Sequence, residues 1–169
     1  MYLAEADVIV LYDLVGAEDR RFSPNCWRTR MALAHKDLAY DARPVRFTEI
    51  SKIGDGTFKT VPVIEDDGRW IGDSLAIANY LEETYPNTQS LFGRDQGRAL
   101  TQFVQNWVAT VLHIGVINLI LLDIYEQLDP ADKPYFRQSR EKRFGRALEA
   151  VQAGREMRVA DFRNSLRPL

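Results

Sequence analysis

The run from Phe58 to Ser74, FKTVPVIEDDGRWIGDS, constrains the fold more than any other stretch of the chain. Val61, Val63 and Ile64 favour a strand, Asp67-Gly68 favours a tight hairpin turn, and Trp70-Ile71 favour the return strand. Ser74 then reads as the N-cap of a helix over Leu75–Leu81. Pro62 has no N–H to give a ladder, so it marks a strand edge or a cis bond, and a cis Val61–Pro62 bond is expected. An unpaired edge there accepts an extended peptide through main-chain hydrogen bonds, with Val61 supplying the N–H and C=O. Asp73 and Ser74 stand a hairpin away at a helix start. Free N–H groups and positive potential there suit a carboxylate, and Asp73 offers an acceptor to an ammonium group. Together these groups suit a small peptide that carries an α-amino acid group at one end. An ordinary hairpin followed by a capped helix accounts for the same residues.

The chain on either side sets the architecture. Val8–Tyr12 is a near-continuous apolar run, as expected of a strand buried on both faces. Ser23 is a good N-cap and Pro24 a good first residue for the helix that follows, with Trp27, Met31 and Ala34 on one face. Tyr40–Phe47 reads as a second strand whose Pro44 points to an edge, and Thr48–Thr57 as a short irregular helix and loop. With right-handed crossovers, the order β-α-β-α-β-β-α makes a four-stranded mixed sheet with helices on its faces, the thioredoxin-like plan. Pro86–Ser90 is the convincing linker. From about Asp95 to Leu128 no strand signal remains, and Phe103, Trp107, Val111, Ile114, Ile117, Leu121 and Tyr125 form a long apolar stripe. Asp129-Pro130-Ala131-Asp132 restarts a helix carrying Phe144, Leu148, Val151, Val159, Phe162 and Leu166, with Gly145 and Gly154 as weak points. The expected fold class is α/β plus all-α: a domain over 1–86, a linker over 87–95 and an all-helical domain over 96–169. Two helices do not easily bury so apolar a stripe by themselves, so cover is expected from further chain or from a partner.

Composition removes several classes. One cysteine, Cys26, excludes an internal disulfide framework and suits a reducing compartment. A net charge of −2 over 169 residues implies no general affinity for nucleic acid or anionic membranes. Met1–Asp7 lacks the basic start of a secretory signal. The most apolar run, Val108–Leu122, is broken by His113 and Asn118 and falls short of the roughly 18 residues a membrane span needs. A soluble cytoplasmic protein is expected. His35 and His113 share no ligand pattern, so no metal site is expected.

Val61-Pro62 followed by Asp73-Ser74 resembles the glutathione-binding signature of the cytosolic glutathione S-transferase family, and the resemblance runs from about Val8 to the C-terminus. It implies a cis proline, a valine paired with the tripeptide's cysteinyl backbone, and an acidic-Ser pair holding its γ-glutamyl end. The family normally continues with several further helices, so the resemblance implies that the all-helical domain is incomplete. Ser23 stands where thioredoxin-type proteins place their reactive group, at a helix N-terminus that stabilises a thiolate. A serine there cannot run dithiol chemistry, but it can donate its hydroxyl to a bound thiolate. Asn25 is a second candidate to reach the sulfur. Cys26 reads as a small apolar residue against the sheet, with a resolving thiol as the other reading.

The run FSPNCWRTR, Phe22–Arg30, looks like the matching segment of omega-like members and of fungal and bacterial etherase-type members. A serine at position 23 then implies glutathione conjugation or glutathione-dependent ether cleavage. The implied partners are glutathione as co-substrate, a small hydrophobic electrophile and a second copy of the chain in a homodimer. A non-catalytic glutathione-fold module used for binding or assembly is the alternative.

Overall fold

The computed structural model describes residues 8–93 and 95–167, so Met1–Asp7, Arg94 and Pro168-Leu169 lie outside the described residues. The chain divides between Leu91 and Phe92 into two compact units. The first is α/β. Its elements are β1 (Ile9–Leu14), α1 (Pro24–His35), β2 (Tyr40–Val45), a 3₁₀ turn (Phe47–Lys52), β3 (Val63–Asp66), β4 (Arg69–Gly72) and α2 (Ser74–Thr84). The sheet order is β2-β1-β3-β4, with β1 and β2 parallel and β3 antiparallel to both its neighbours. A parallel pair needs a crossover, and α1 supplies it. This is the thioredoxin-like mixed sheet that the sequence predicts.

Two apolar layers hold the unit together. Ile9, Leu11 and Ile64 pack with Leu33 of α1 and Ile77 and Leu81 of α2. Leu14 and Val63 pack with Cys26, Val45, Ile50, Ile53 and Val61. Each fully buried branched side chain contributes about 1.5–3 kcal/mol. The buried face of α1 is Cys26, Thr29, Ala32 and Leu33. Trp27 and Met31, which share a face by spacing, are instead exposed. The smaller residues let the helix approach the sheet, and the bulky ones line the outer side.

Polar ties brace this unit as well. Lys36, 1% exposed at the end of α1, donates to Glu82 Oε2 (3.0 Å) and to the Gln89 carbonyl (3.2 Å). Glu82 also accepts from the Leu91 N–H (2.9 Å) and the Ser90 hydroxyl, so the segment after α2 is drawn back against α1. Burial works against the Glu82 charge, yet Ser90, Leu91 and Lys36 together hold its carboxyl down at about 2. Asp66, buried at the end of β3, accepts from the hydroxyls of Tyr80 (2.9 Å) and Tyr85 (2.7 Å), tying the hairpin to α2.

Two details of the hairpin correct the sequence reading. β3 is an interior strand, paired on both sides, so it offers no free edge; Val61 and Pro62 lie just ahead of the ladder. Ser74 is the first helical residue and Asp73 is the N-cap, with Oδ1 accepting from the N–H groups of Leu75 (2.9 Å) and Ala76 (3.1 Å). A carboxylate also answers the helix dipole, which a serine hydroxyl does less well. Asp67 and Gly68 both have positive φ, 49° and 71°, as the two-residue turn requires.

The second unit is helical among its described residues. α3 (Asp95–Trp107) runs through a π-helical stretch (Val108–Leu112) into α4 (His113–Glu126). The helix Gly97–Glu126 is 30 residues long, and by length and composition it is long and apolar enough to cross a membrane. The sequence reading took only Val108–Leu122 and so understated it; the helical turns on either side of that run extend the apolar stretch. The single helix expected after Asp132 is three: α5 (Lys133–Phe144), α6 (Leu148–Gln152) and α7 (Arg155–Ser165). Gly145 and Gly154 adopt left-handed conformations, φ 68° at both, that end or restart a helix. Leu121, Leu128, Phe136, Leu148 and Val151 are buried in this unit, whereas Leu100, Phe103, Val104 and Ile114 of the long helix are exposed.

Candidate active site

The strand register gathers the site residues predicted from sequence. Tyr12 faces Val63 across the β1–β3 ladder, and Val63 faces Gly72 across β3–β4. Continuing both ladders outward carries Leu14, Val61 and Pro62, and Asp73 and Ser74 to one end of the sheet. α1 begins after the C-terminal end of β1, and α2 after the C-terminal end of β4, so both helix N-termini open at this end. Two helix N-termini make it a region of positive potential. Leu14, Cys26 and Val61 share one buried cluster, which joins the start of α1 to the residue ahead of β3. The Val61–Pro62 bond is cis, as the sequence predicts.

Ser23 caps α1. Its Oγ accepts from the Cys26 N–H at 3.3 Å, and the residue is only 8% exposed. A hydroxyl that accepts here keeps its own hydrogen to donate. Asn25 is exposed, and among the described residues no hydrogen bond joins it to Ser23. Cys26 is 1% exposed and its Sγ accepts from the Leu14 N–H at 3.5 Å. Burial, helped by Asp13, pushes its thiol up to about 11 against the opposing contacts from Leu14 and Ser23. Cys26 is thus a packed thiol, with no thiolate character at neutral pH.

Asp73 is exposed and holds φ 73°, ψ 129°, a region that non-glycine residues rarely occupy. Such a conformation costs about 1–3 kcal/mol and clusters at binding and catalytic sites. Its Oδ1 is committed to the helix through the Leu75 and Ala76 N–H groups. Ser74 is buried beside it. An open apolar groove of about 600 Å³ starts at Pro24 and runs along α1 past Trp27 and Met31 to His35 and Leu91.

The sequence reading missed one cluster at this end. Asp13 is 1% exposed, and its Oδ2 accepts from Arg30 Nε (2.7 Å) and Arg21 Nη1 (3.0 Å). The only signal for it was a single acidic residue inside the apolar strand Ile9–Leu14.

The family description "Glutathione S-transferase, N-terminal domain" matches residues 19–89, and "Glutathione S-transferase, C-terminal domain" matches 99–169. The crystal structure of glutathione transferase GSTFuA3 from Phanerochaete chrysosporium superposes with a TM-score of 0.79 at 30% identity, over 95% of this chain and 68% of that one. The chain belongs to the glutathione S-transferase family.

A second transferase structure, CsGST63524 of Ceriporiopsis subvermispora in complex with glutathione, matches at 28% identity and a TM-score of 0.81, covering 96% of this chain and 70% of that one. Among curated relatives, the maleylacetoacetate isomerase of Rattus norvegicus is 34% identical over 118 residues, 63% of this chain and 51% of that protein. The chain spans about half the length of the curated relatives it matches. Those relatives are named as isomerases, whereas the sequence resemblance pointed to omega-like and etherase-type transferases.

Proposed function

We propose that this glutathione S-transferase uses Ser23 to hold glutathione as a thiolate and delivers that thiolate to an electrophilic carbon. The observation that carries the reading is the Ser23 hydroxyl. It is buried at a helix N-terminus and accepts from Cys26, so its hydrogen remains for a sulfur anion. A hydrogen bond to a charged group is worth about 1.5–3 kcal/mol. At about 1.4 kcal/mol per tenfold, that moves a thiol from about 8.5 to near 7. Val61 would pair with the cysteinyl backbone of the tripeptide beside Pro62. Asp73 would accept from the γ-glutamyl ammonium, and Ser74 with the α2 N-terminus would receive its carboxylate. The crystal structure of a relative of this fold in complex with glutathione supports glutathione as the ligand. Asn25, exposed on the first turn of α1, is the reserve contact to the sulfur.

The thiolate then forms a C–S bond, and the electron pair leaves with a displaced group or moves into a conjugated system. Displacement of an aryl oxide is the etherase version, supported by the Phe22–Arg30 run. Reversible addition to a conjugated cis double bond, rotation and release is the isomerase version, supported by the names of the curated relatives. The apolar groove that begins at Pro24 suits the hydrophobic substrate of the etherase version. The exposed apolar face of α3 and α4 fits a homodimer, in which protein rather than lipid covers it. A monomer in sedimentation at micromolar concentration would count against that assembly.

The test is retention on immobilised glutathione, followed by titration of the bound thiolate absorbance in the wild type and Ser23→Ala. Retention should persist in the variant, the thiol pKa should rise by roughly one to two units, and turnover with an aryl halide should fall about tenfold near neutral pH. Ser23→Cys should form a mixed disulfide with glutathione. A thiolate titration that is identical in Ser23→Ala would remove Ser23 from the mechanism and leave Asn25 as the next candidate. Turnover of a β-aryl ether against that of a cis-dienone acid separates the two substrate classes.

A further inference from the structure

We propose that Asp13 is a positioning residue for Ser23: its buried carboxylate fixes both flanks of the segment that carries the hydroxyl. The proposal rests on the Ser23 reading above. Asp13 and Leu14 are neighbours at the end of β1, and each anchors one side of Ser23. Asp13 binds Arg21, two residues ahead of Ser23, and Arg30, two turns into α1. Leu14 donates to Cys26, whose N–H in turn holds Ser23 Oγ. Arg21 is also held through its main chain, because the Trp27 indole N–H donates to its carbonyl at 2.8 Å. The Arg30 guanidinium lies 5.5 Å from the centre of the Trp27 ring, so the same tryptophan closes the circuit between the two arginines.

Nothing about stability alone calls for this arrangement. Burying a carboxylate with guanidinium partners is costly, and apolar residues of similar volume are often at least as stable. What the ions add is direction. An arginine fork on a carboxylate fixes angle as well as distance, which a hydrophobic contact does not. The segment between Leu14 and Ser23 needs such a lock. It contains Glu18 and Asp19 at positive φ, 53° and 58°, and among the described residues none of its 3₁₀ turn is buried. The charged groups on the loop and helix that flank Ser23 include Asp13, Asp19, Arg21 and Arg30, the Glu18–Arg20 ion pair, and the Cys26 thiol beside Asp13.

Charge and position predict opposite signs. Asp13→Asn removes a negative charge close to the thiolate, so electrostatics alone would lower the glutathione thiol pKa. Loss of positioning would raise it, because the Ser23 hydroxyl no longer points at the sulfur. Arg21→Lys keeps the charge but loses the fork that spans Asp13 and Asp19, so charge alone predicts no change. It lies on the loop and tests the idea even if Asp13→Asn does not fold.

The experiment titrates the thiolate absorbance of bound glutathione in the wild type, Ser23→Ala, Asp13→Asn and Arg21→Lys, and measures kcat with an aryl halide and KM for glutathione. The expected result is a raised thiol pKa in all three variants. In Asp13→Asn and Arg21→Lys, kcat should fall about tenfold or more, since small misplacements are costly in rate, with KM for glutathione within about twofold. A lowered pKa in Asp13→Asn, or wild-type titrations in Asp13→Asn and Arg21→Lys beside a raised one in Ser23→Ala, overturns the positioning role while the Ser23 reading stands. An unchanged titration in Ser23→Ala sinks the Ser23 reading and this proposal with it.

Discussion

The clamp between Lys36 and Glu82 makes a sharp test of the first unit, because its two halves are not equivalent. The Lys36 side chain is 1% exposed and that of Glu82 15%. In Glu82→Gln a single amide oxygen replaces two carboxylate oxygens. Placed at Oε2 it still accepts from Leu91, and its amide N–H group then faces the Ser90 hydroxyl. Lys36 keeps a buried positive charge with only neutral acceptors, that oxygen and the Gln89 carbonyl. Stripping one partner from a buried pair costs about 3–5 kcal/mol, and access of water near Glu82 puts this case at the lower end. In Lys36→Met the buried charge is gone, and Glu82 retains two donors and some solvent, so the loss should be about 1 kcal/mol. For a unit of this size that is a drop in Tm of roughly 12–24 °C for Glu82→Gln and roughly 4–8 °C for Lys36→Met. Thermal unfolding followed through Trp27 and Trp70, with Trp107 mutated out, reports this unit alone.

The acid limb checks the same pair. The Glu82 carboxyl sits at about 2 against an ordinary 4.5. A depressed carboxylate contributes stability that is complete above about 4.5 and is lost as pH falls through about 2. The gap corresponds to about 3 kcal/mol, which screening near the surface trims to about 1–2 kcal/mol. Wild-type stability should therefore decline between pH 4.5 and 2 in a way that Glu82→Gln lacks. Equal losses in the two variants, or a larger loss in Lys36→Met, would refute the reasoning.

Cys26 should resist a thiol reagent at neutral pH and react only as the protein unfolds, because burial pushes its thiol up to about 11; labelling at the rate of a free thiol would contradict its placement. Gly115→Ala should destabilise the helical unit by about 1–3 kcal/mol, since a Cβ there would clash with the Phe162 ring. Phe162→Ala in the same chain should recover part of that loss, read from the Trp107 fluorescence transition.

Local signals carried far in this chain. The Asp67-Gly68 turn between β-branched runs was enough for the hairpin, and Ser23-Pro24 for the start of α1, because both depend on residues within one or two turns. The Asp73 cap was misplaced by one residue because Asp and Ser are both good caps; only the positive φ of Asp73 decides between them. Asp13 was invisible for a different reason. Its partners lie 8 and 17 residues away, and one acidic residue in an apolar strand carries no period. Gly145 and Gly154 were legible as weak points, but whether a helical glycine bends or breaks depends on what packs around it. The interior position of β3 depends on a sheet order that no local pattern encodes.

The pairing of Val63 with Gly72 has a consequence for which insertions and deletions this chain can survive. Asp67 and Gly68 form an exposed tip, the kind of site where length changes are usually tolerated. Here the two arms of the hairpin work as a ruler that brings Asp73 level with Pro62. One added residue in either arm would slip the ladder by a step and turn every residue beyond it, Asp73 included, to the opposite side of the sheet. Length variants at this tip should therefore split cleanly: those that lengthen only the turn remain folded and hold the ligand, and those that shift the register lose stability and ligand together.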